Sequence, residues 1–141
     1  MDDVISMHTL SLGAAQRIVA AAMAAATSLG LAVCICVADV SGEPIATARM
    51  DGAPRMSAGI AANKAYSVAA FGGMPTDRWW SAIGNNPALV HGLTHTPRLV
   101  VFGGGLPVHV DGALVGAVGV SGGSAEQDRE VAAAGVIAVS P

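Results

Sequence analysis

The dipeptide Asp111-Gly112 restricts the fold of this sequence most strongly, because it lies between two short apolar segments, residues 106–110 and 113–120. Aspartate and glycine tolerate the positive φ angles that a two-residue hairpin turn requires. The two segments are therefore predicted to be neighbouring antiparallel strands.

A second hairpin is predicted between residues 32–38 and residues 44–50, which flank the turn signal Asp39-Val40-Ser41-Gly42. Residues 98–102 are apolar and are predicted to form a further strand. Because these strands are joined by hairpins where a doubly wound fold would have helical crossovers, the sequence indicates an antiparallel sheet of the α+β class with helices packed on it. The 141 residues are enough for one domain, predicted to span residues 1–141.

Helices are predicted where apolar residues recur three and four positions apart after a capping or starting signal. Glycines or the motif Gly84-Asn85-Asn86-Pro87 end these segments, and residues 88–97 are predicted to be irregular. Four helices are predicted. The first follows a cap at Thr9 or Ser11, the second covers residues 56–71, the third begins at Pro75, and the fourth begins near Ser124.

Charged residues make up only 12% of the chain, about half the usual share, and the apolar share of 52% consists mainly of small residues. So few charges cover a monomer poorly, and a homo-oligomer is expected.

The net charge of −3 without a basic stripe disfavours nucleic-acid binding. No apolar run approaches a membrane span of about 18 residues, so a soluble protein without a membrane partner is expected. The acidic start, Asp2-Asp3, is unlike a secretory signal and predicts a cytoplasmic location.

Lys64 is the first candidate for chemistry, because it lies among the apolar positions of the predicted helix 56–71. An amine there must be paired, reach the surface, or be held for reaction. Asp128 and Glu126, at the start of the last helix, are the predicted partners. The group is therefore either a structural ion pair or a catalytic set in which Lys64 serves as a general base or Schiff-base nucleophile.

The glycine-rich turn Ser121-Gly122-Gly123-Ser124 connects a predicted strand to the last helix. Free amides at a helix start can hold a carboxylate or phosphate, although Ser124 with Gln127 or Glu126 could instead simply cap the helix. This turn, the Gly104-Gly105 bend and Lys64 are expected to meet at a common hollow beside the sheet. They form the core of the predicted ligand site.

Further ligand contacts are predicted at two other places in the sequence. Arg49 and Asp51 lie at a Gly/Pro loop, where a guanidinium could bind a substrate carboxylate, although a solvated loop is the alternative. Arg78 precedes Trp79, and together with Trp80 they could offer a cation and flat surfaces to a planar ligand; core or subunit packing is the alternative.

His91 and His95 are four residues apart, a spacing that on a helix would place both imidazoles on one face as metal or haem ligands. Gly92 and Pro97 weaken that helix, and no third ligand lies close in sequence. Cys34 and Cys36 share one face of a predicted strand and are expected to be buried free thiols.

Three sets of residues together resemble the GlcG/HbpS family, which includes haem-binding and haem-degrading-like proteins and the C-terminal domain of PduO-type cobalamin adenosyltransferases. Their order and spacing cover nearly the whole chain. They are Arg49-Met50-Asp51-Gly52-Ala53; Ala62-Asn63-Lys64-Ala65 followed by Pro75-Thr76; and Gly104-Gly105-Leu106-Pro107 with Gly116, Gly119-Val120-Ser121-Gly122-Gly123 and Glu126-Gln127-Asp128.

The resemblance implies a five-stranded antiparallel sheet of the profilin-like or PAS-like kind, with helices on its faces in three layers. It also implies assembly into dimers or rings as large as octamers, and ligands such as haem, iron or cobalamin-related molecules. The expected function is a small-molecule-binding domain for haem-like or anionic planar ligands. The alternatives are a cofactor-independent isomerase, lyase or hydrolase acting on a small catabolic intermediate through Lys64 and a carboxylate or histidine, and an accessory subunit without a ligand.

Overall fold

The computed structural model describes residues 2–139; Met1, Ser140 and Pro141, which the single-domain prediction includes, lie outside them. Within these residues the chain forms a four-stranded antiparallel sheet with helices on both faces. The helices are α1 (Leu12–Ser28), α2 (Ser57–Ala70), α3 (Trp79–Ile83), α4 (Pro87–Leu93) and α5 (Ala125–Ile137); the strands are β1 (Cys34–Asp39), β2 (Pro44–Arg49), β3 (Gly105–Val110) and β4 (Ala113–Ser121).

The strand order is β2-β1-β4-β3, so β2 and β3 form the two edges. Both predicted hairpins are confirmed, since β1 pairs with β2 and β3 pairs with β4, each in antiparallel fashion. The φ angles of Asp111 and Gly112 are 51° and 80°, as the two-residue turn requires. β1 and β4 pair at the centre of the sheet, with Cys34 opposite Ser121 and Cys36 opposite Gly119.

The predicted fifth strand at residues 98–102 is wrong. Arg98 has a φ of 67°, in the left-handed region, which is incompatible with an extended strand at that residue. The amide of Val100 donates to the hydroxyl of Ser67 on α2, at 2.9 Å, where a strand would offer it to a neighbouring strand. The segment is an irregular connection in which Val100 is buried and bonded to a helix side chain, whereas Phe102 is exposed.

Residues 88–97 are also more regular than predicted, because α4 covers their first part. Asn86 caps this helix through a bond from the Leu89 amide to its side-chain oxygen, and Pro87 occupies the first turn. Both residues favour a helix start. The motif that was predicted only to end a helix therefore also begins the next one. The caps predicted at Ser11 and Ser124 are confirmed at the starts of α1 and α5.

The sheet separates two apolar clusters, which gives the three layers that the resemblance implies. On one face α1 and α5 pack over β-branched residues, including Ile35, Val37 and Val118. On the other face α2 packs over small residues, including Cys36, Ala38 and Ala117. The small residues let α2 lie close to the sheet, and the Lys64 side chain on this helix reaches the backbone of β4 and a side chain of α5. None of the helices within residues 2–139 has the length and apolar character needed to cross a membrane.

Both cysteines are buried free thiols, as predicted. Burial raises the pKa of Cys36 to about 11, with a smaller opposing effect from the Arg98 guanidinium. Between pH 9 and about pH 11 the unfolded chain therefore loses this proton while the folded chain keeps it, so stability falls as pH rises through that interval.

We expect this thiol to account for about 2–3 kcal/mol of stability lost across the interval, at about 1.4 kcal/mol for each pH unit. Urea unfolding of the wild type and of Cys36→Ala at several pH values measures the contribution as a difference. The free energy of unfolding should fall more steeply with pH in the wild type than in Cys36→Ala between pH 9 and 11. Below pH 8 the two curves should be parallel. Equal slopes throughout would contradict the expectation.

Candidate functional site

Lys64 lies on α2 and is almost completely buried, with 1% of its surface exposed. Its Nζ donates to the carbonyl oxygen of Val120 on β4 at 2.8 Å and to Oδ2 of Asp128 on α5 at 3.1 Å. The same Nζ lies 5.1 Å from the centroid of the Phe102 ring, within the range of a cation–π contact. The ammonium group therefore has partners on several sides.

Asp128 completes the pair, because its second oxygen, Oδ1, accepts the amide of Gly123 at 2.8 Å. The carboxylate thus joins the start of α5 to both α2 and the turn after β4. Burial lowers the pKa of Lys64, whereas the charge of Asp128 and its hydrogen bond raise it. Glu126, the other predicted partner, is exposed and stands outside this pair.

Gly104 leaves the space that the ammonium group occupies. Its φ is 128°, and a Cβ atom there would lie 2.5 Å from Nζ of Lys64 and 2.5 Å from the carbonyl oxygen of Val120. The amide of Gly105 donates to Oγ1 of Thr76 at 2.9 Å. The structure thus brings Lys64, Asp128, Gly104, Gly105 and Gly123 together, but as a closely packed cluster without a hollow.

The turn Ser121-Gly122-Gly123-Ser124 differs from the predicted anion cradle, because the chain's own acceptors already occupy its amides. Gly123 donates to Asp128, and the amide of Ser124 donates to Oε1 of Gln127 at 2.9 Å. The hydroxyl of Ser124 in turn accepts the amide of Gln127, which completes a capping box. The capped connection that the sequence allowed as the alternative accounts for these contacts.

Open space is found beside the buried cluster, where two hollows adjoin. They share three lining residues, Trp80, Val101 and Phe102, and together are called the aromatic groove below. The polar hollow, about 310 Å³, adds Asp77, Gly103, Ala125, Glu126 and Arg129; the apolar hollow, about 250 Å³, adds Ile83, Val90, Leu93, Thr94, Leu99 and Val100.

The aromatic groove exposes two large rings, with 61% of Trp80 and 50% of Phe102 accessible to solvent. Trp79, the predicted ligand contact, is instead buried against Phe71, at 4.8 Å between ring centroids, and its indole N–H has no hydrogen-bond partner within the described residues. The sequence singled out the tryptophan pair but not which ring faces solvent. Phe102 was missed because its segment was interpreted as a strand.

The remaining predicted contacts are dispersed. Arg49 and Asp51 are exposed and, with Arg55, line a separate hollow of about 380 Å³ that shares no residue with the aromatic groove. Arg78 is exposed next to the buried Trp79. These groups are accessible to a ligand, but the structure does not join Arg49 and Asp51 to Lys64.

His91 and His95 are both exposed. His91 lies in the last turn of α4, and His95 follows the end of that helix, so the two do not share a helical face. Within residues 2–139 no third histidine, cysteine or acidic residue joins them in a metal-binding group. Val90 and Thr94, their neighbours in the sequence, line the apolar hollow, whereas neither histidine does.

Several proteins are similar in sequence to this chain. A 15.0 kDa protein encoded in the dhaT-dhaS intergenic region of Citrobacter freundii is 40% identical over 126 residues, which cover 88% of this chain and 87% of the relative. Protein GlcG of Escherichia coli is 38% identical over 112 residues, 79% of this chain and 81% of GlcG. The corrinoid adenosyltransferase PduO of C. freundii is 32% identical over 133 residues, 94% of this chain but only 39% of PduO.

Two solved structures are similar to this chain in both fold and sequence. Protein ORFY of Klebsiella pneumoniae superposes with a TM-score of 0.91 at 35% identity, covering 98% of this chain and 95% of ORFY. The crystal structure of the PduOC:heme complex gives a TM-score of 0.86 at 31% identity, covering 94% of this chain and 96% of PduOC. The family model described as haem degrading protein HbpS-like matches residues 10–137. The chain therefore belongs to the HbpS-like family.

Proposed function

We propose that the chain binds a planar tetrapyrrole, with haem as the first candidate, in the aromatic groove. The observation that carries this proposal is the exposure of Trp80 and Phe102 between two adjoining hollows. Burying large aromatic side chains away from water is favourable, and two flat rings offer stacking surfaces to a flat ligand.

The size and polarity of the aromatic groove fit such a ligand. Its two hollows, about 310 and 250 Å³, fall together within the range of about 300–1,000 Å³ typical of small-molecule sites. The apolar hollow would hold the macrocycle against Leu93 and Leu99. The polar hollow opens beside it, as a ligand with an apolar ring and charged substituents requires.

Charged groups and imidazoles at the groove support haem in particular. Arg129 lines the polar hollow, where it forms an ion pair with Asp77, and it is about half exposed. A propionate would have to replace Asp77 as the partner of this guanidinium, and it would lie in the same hollow as the carboxylate of Glu126. His91 and His95 are exposed and each follows, in the sequence, a residue that lines the apolar hollow, and a neutral imidazole is a common axial ligand of haem iron.

The comparisons support the same ligand class from a second direction. The description of the matched family names a haem degrading protein, and PduOC was crystallised as a complex with heme. PduO itself is a corrinoid adenosyltransferase, so a second tetrapyrrole class is connected with a relative, although this chain spans only 39% of it. Haem and a corrinoid must therefore be tested side by side.

Trp80→Ala is expected to weaken haemin binding at least about tenfold, because loss of one stacked aromatic ring removes about 1.5–3 kcal/mol of apolar burial. The binding is measured by the shift of the Soret band during titration with haemin. Leu89→Ala is the matched control, since Leu89 is an exposed residue of α4 that does not line the groove. This control should bind like the wild type.

Metal-free protoporphyrin IX and cobalamin, titrated in parallel, define the ligand class. Weaker binding of protoporphyrin than of haemin, with a Soret position altered by His91→Ala or His95→Ala, would support iron ligation. Tight binding of cobalamin alone would overturn haem as the candidate. Equal haemin affinities of Trp80→Ala and Leu89→Ala would overturn the groove as the site.

A further inference from the structure

Residues 2–8 precede α1 as a segment without helix or strand, and they expose their apolar side chains. The exposed fractions are 81% for Val4, 84% for Ile5 and 64% for Met7. Chain contacts resume at Thr9 and Leu10, which bond to the Val115 carbonyl. Three large apolar side chains left exposed so close together are typical of a surface that contacts another protein.

A groove of about 350 Å³ between α1 and the edge strand β2 offers a matching surface, called the α1–β2 groove below. It contains no charged residue, and one side of α1 lines it at helical spacing. β2 is an edge of the sheet, so its outer backbone groups are free to pair with a further strand. The lining residues are Leu12, Gln16, Val19, Ala20 and Met23 on α1, and Ile45, Ala46 and Thr47 on β2.

One antiparallel register places an acidic residue of the segment opposite a basic residue at the end of β2, and an imidazole opposite the carboxylate that precedes β2. When Asp2 is placed opposite Arg49, His8 falls opposite Glu43. The same register places Ile5 opposite Ala46, which packs on the α1 side of the sheet. Met7 and Asp3, each two residues from Ile5, share that face. Ile5 and Met7 would enter the α1–β2 groove, whereas Asp3 would lie opposite Ala48, which does not line it.

We propose that residues 2–8 of a second copy of this chain add as a fifth strand to the outer edge of β2 and fill the α1–β2 groove. In the single chain the segment stays exposed and the groove stays open, so each copy carries an unpaired strand and an unpaired edge. A reciprocal exchange between two copies satisfies both and forms a closed dimer. The inference is independent of the tetrapyrrole proposal, because the α1–β2 groove shares no lining residue with the aromatic groove.

Sedimentation equilibrium of the full chain tests the exchange. The wild type should associate, and deletion of residues 2–8 or the variant Ile5→Asp should raise the dissociation constant at least about tenfold. Met56→Asp is the matched control, since Met56 is 78% exposed and lies outside the α1–β2 groove; it should associate like the wild type. A monomeric wild type, or a deletion variant that associates unchanged, would overturn the proposal.

The double variant Ile5→Cys/Ala46→Cys identifies which copy supplies the strand. Residues directly opposite on neighbouring strands are close enough for a disulfide, and Cys34 and Cys36 are buried. Mild oxidation should give a covalent dimer on a non-reducing gel, and neither single variant should give one. A disulfide within one chain would show that the segment folds back on its own edge and would overturn the exchange.

Discussion

Replacement of Lys64 by methionine is expected to lower the free energy of unfolding by about 3–5 kcal/mol, measured by urea unfolding at pH 7. The substitution keeps the apolar stem but leaves the carboxylate of Asp128 buried without its cation. It also removes the donor to the Val120 carbonyl. An uncompensated buried charge is among the few causes of so large a loss from one side chain.

The double variant Lys64→Met/Asp128→Asn separates the charge from the packing. Asparagine can still accept the Gly123 amide through its side-chain oxygen but carries no charge. The double variant should therefore be more stable than Lys64→Met alone, because no unpaired charge remains. If the single variant loses less than about 1 kcal/mol, the pair is not the structural link described above.

The alternative function, an enzyme that acts through Lys64, stays a prediction. With 1% of its surface exposed and two hydrogen bonds made, the amine has no open path to a substrate in this structure. Sodium borohydride reduction in the presence of a small aldehyde, followed by mass spectrometry, tests for a reactive amine at this position. Selective modification of Lys64 would favour the enzymatic alternative.

Gly119→Ala is the second substitution with a large expected effect, a loss of at least about 3 kcal/mol or failure to fold. A Cβ atom at this position would overlap the carbonyl oxygen of Ala61 and lie 2.7 Å from the amide nitrogen of Ala65, both in the backbone of α2. Neither atom can move without shifting the helix, so the overlap cannot relax as it would against a flexible side chain.

Gly59→Ala is the matched control, because it makes the same change on α2 where no atom lies within 4 Å of the added Cβ. This variant should gain about 0.5–1 kcal/mol, since alanine restricts the unfolded chain and favours the helix. Thermal unfolding of both variants measures the contrast. Similar stability of the two would show that α2 does not pack directly on β4.

The turns and the buried pair were predictable from the sequence because their causes are local or chemically exclusive. Asp111-Gly112 permits positive φ angles at two successive positions, and with the apolar segments on either side it predicts the β3–β4 hairpin. An amine among apolar helix positions must be paired, reach the surface or be held for reaction, and the acidic residues at the start of α5 were the natural partners for Lys64. The spacing could not distinguish Asp128 from Glu126, because that depends on the exact start of α5.

Features that depend on tertiary contacts were not predictable. Residues 98–102 have the composition of a strand, but the hydroxyl of Ser67 takes the amide that a strand would use. The anion-cradle hypothesis treated the amides after Ser121 as free, whereas Asp128 and Gln127 fold back to accept them. The exposure of Trp80 also depends on how α3 packs, which leaves Trp79 against Phe71. The aromatic groove therefore became visible only in three dimensions.

The central claim, that a planar tetrapyrrole occupies the aromatic groove, is tested most directly by a crystal structure of the full chain grown with haemin. Anomalous scattering measured at the iron edge locates the metal independently of the interpretation of the ring. The account predicts iron beside Trp80 and Phe102, with the macrocycle in the apolar hollow and a propionate at Arg129. Iron at any other surface, with the aromatic groove open, would contradict it.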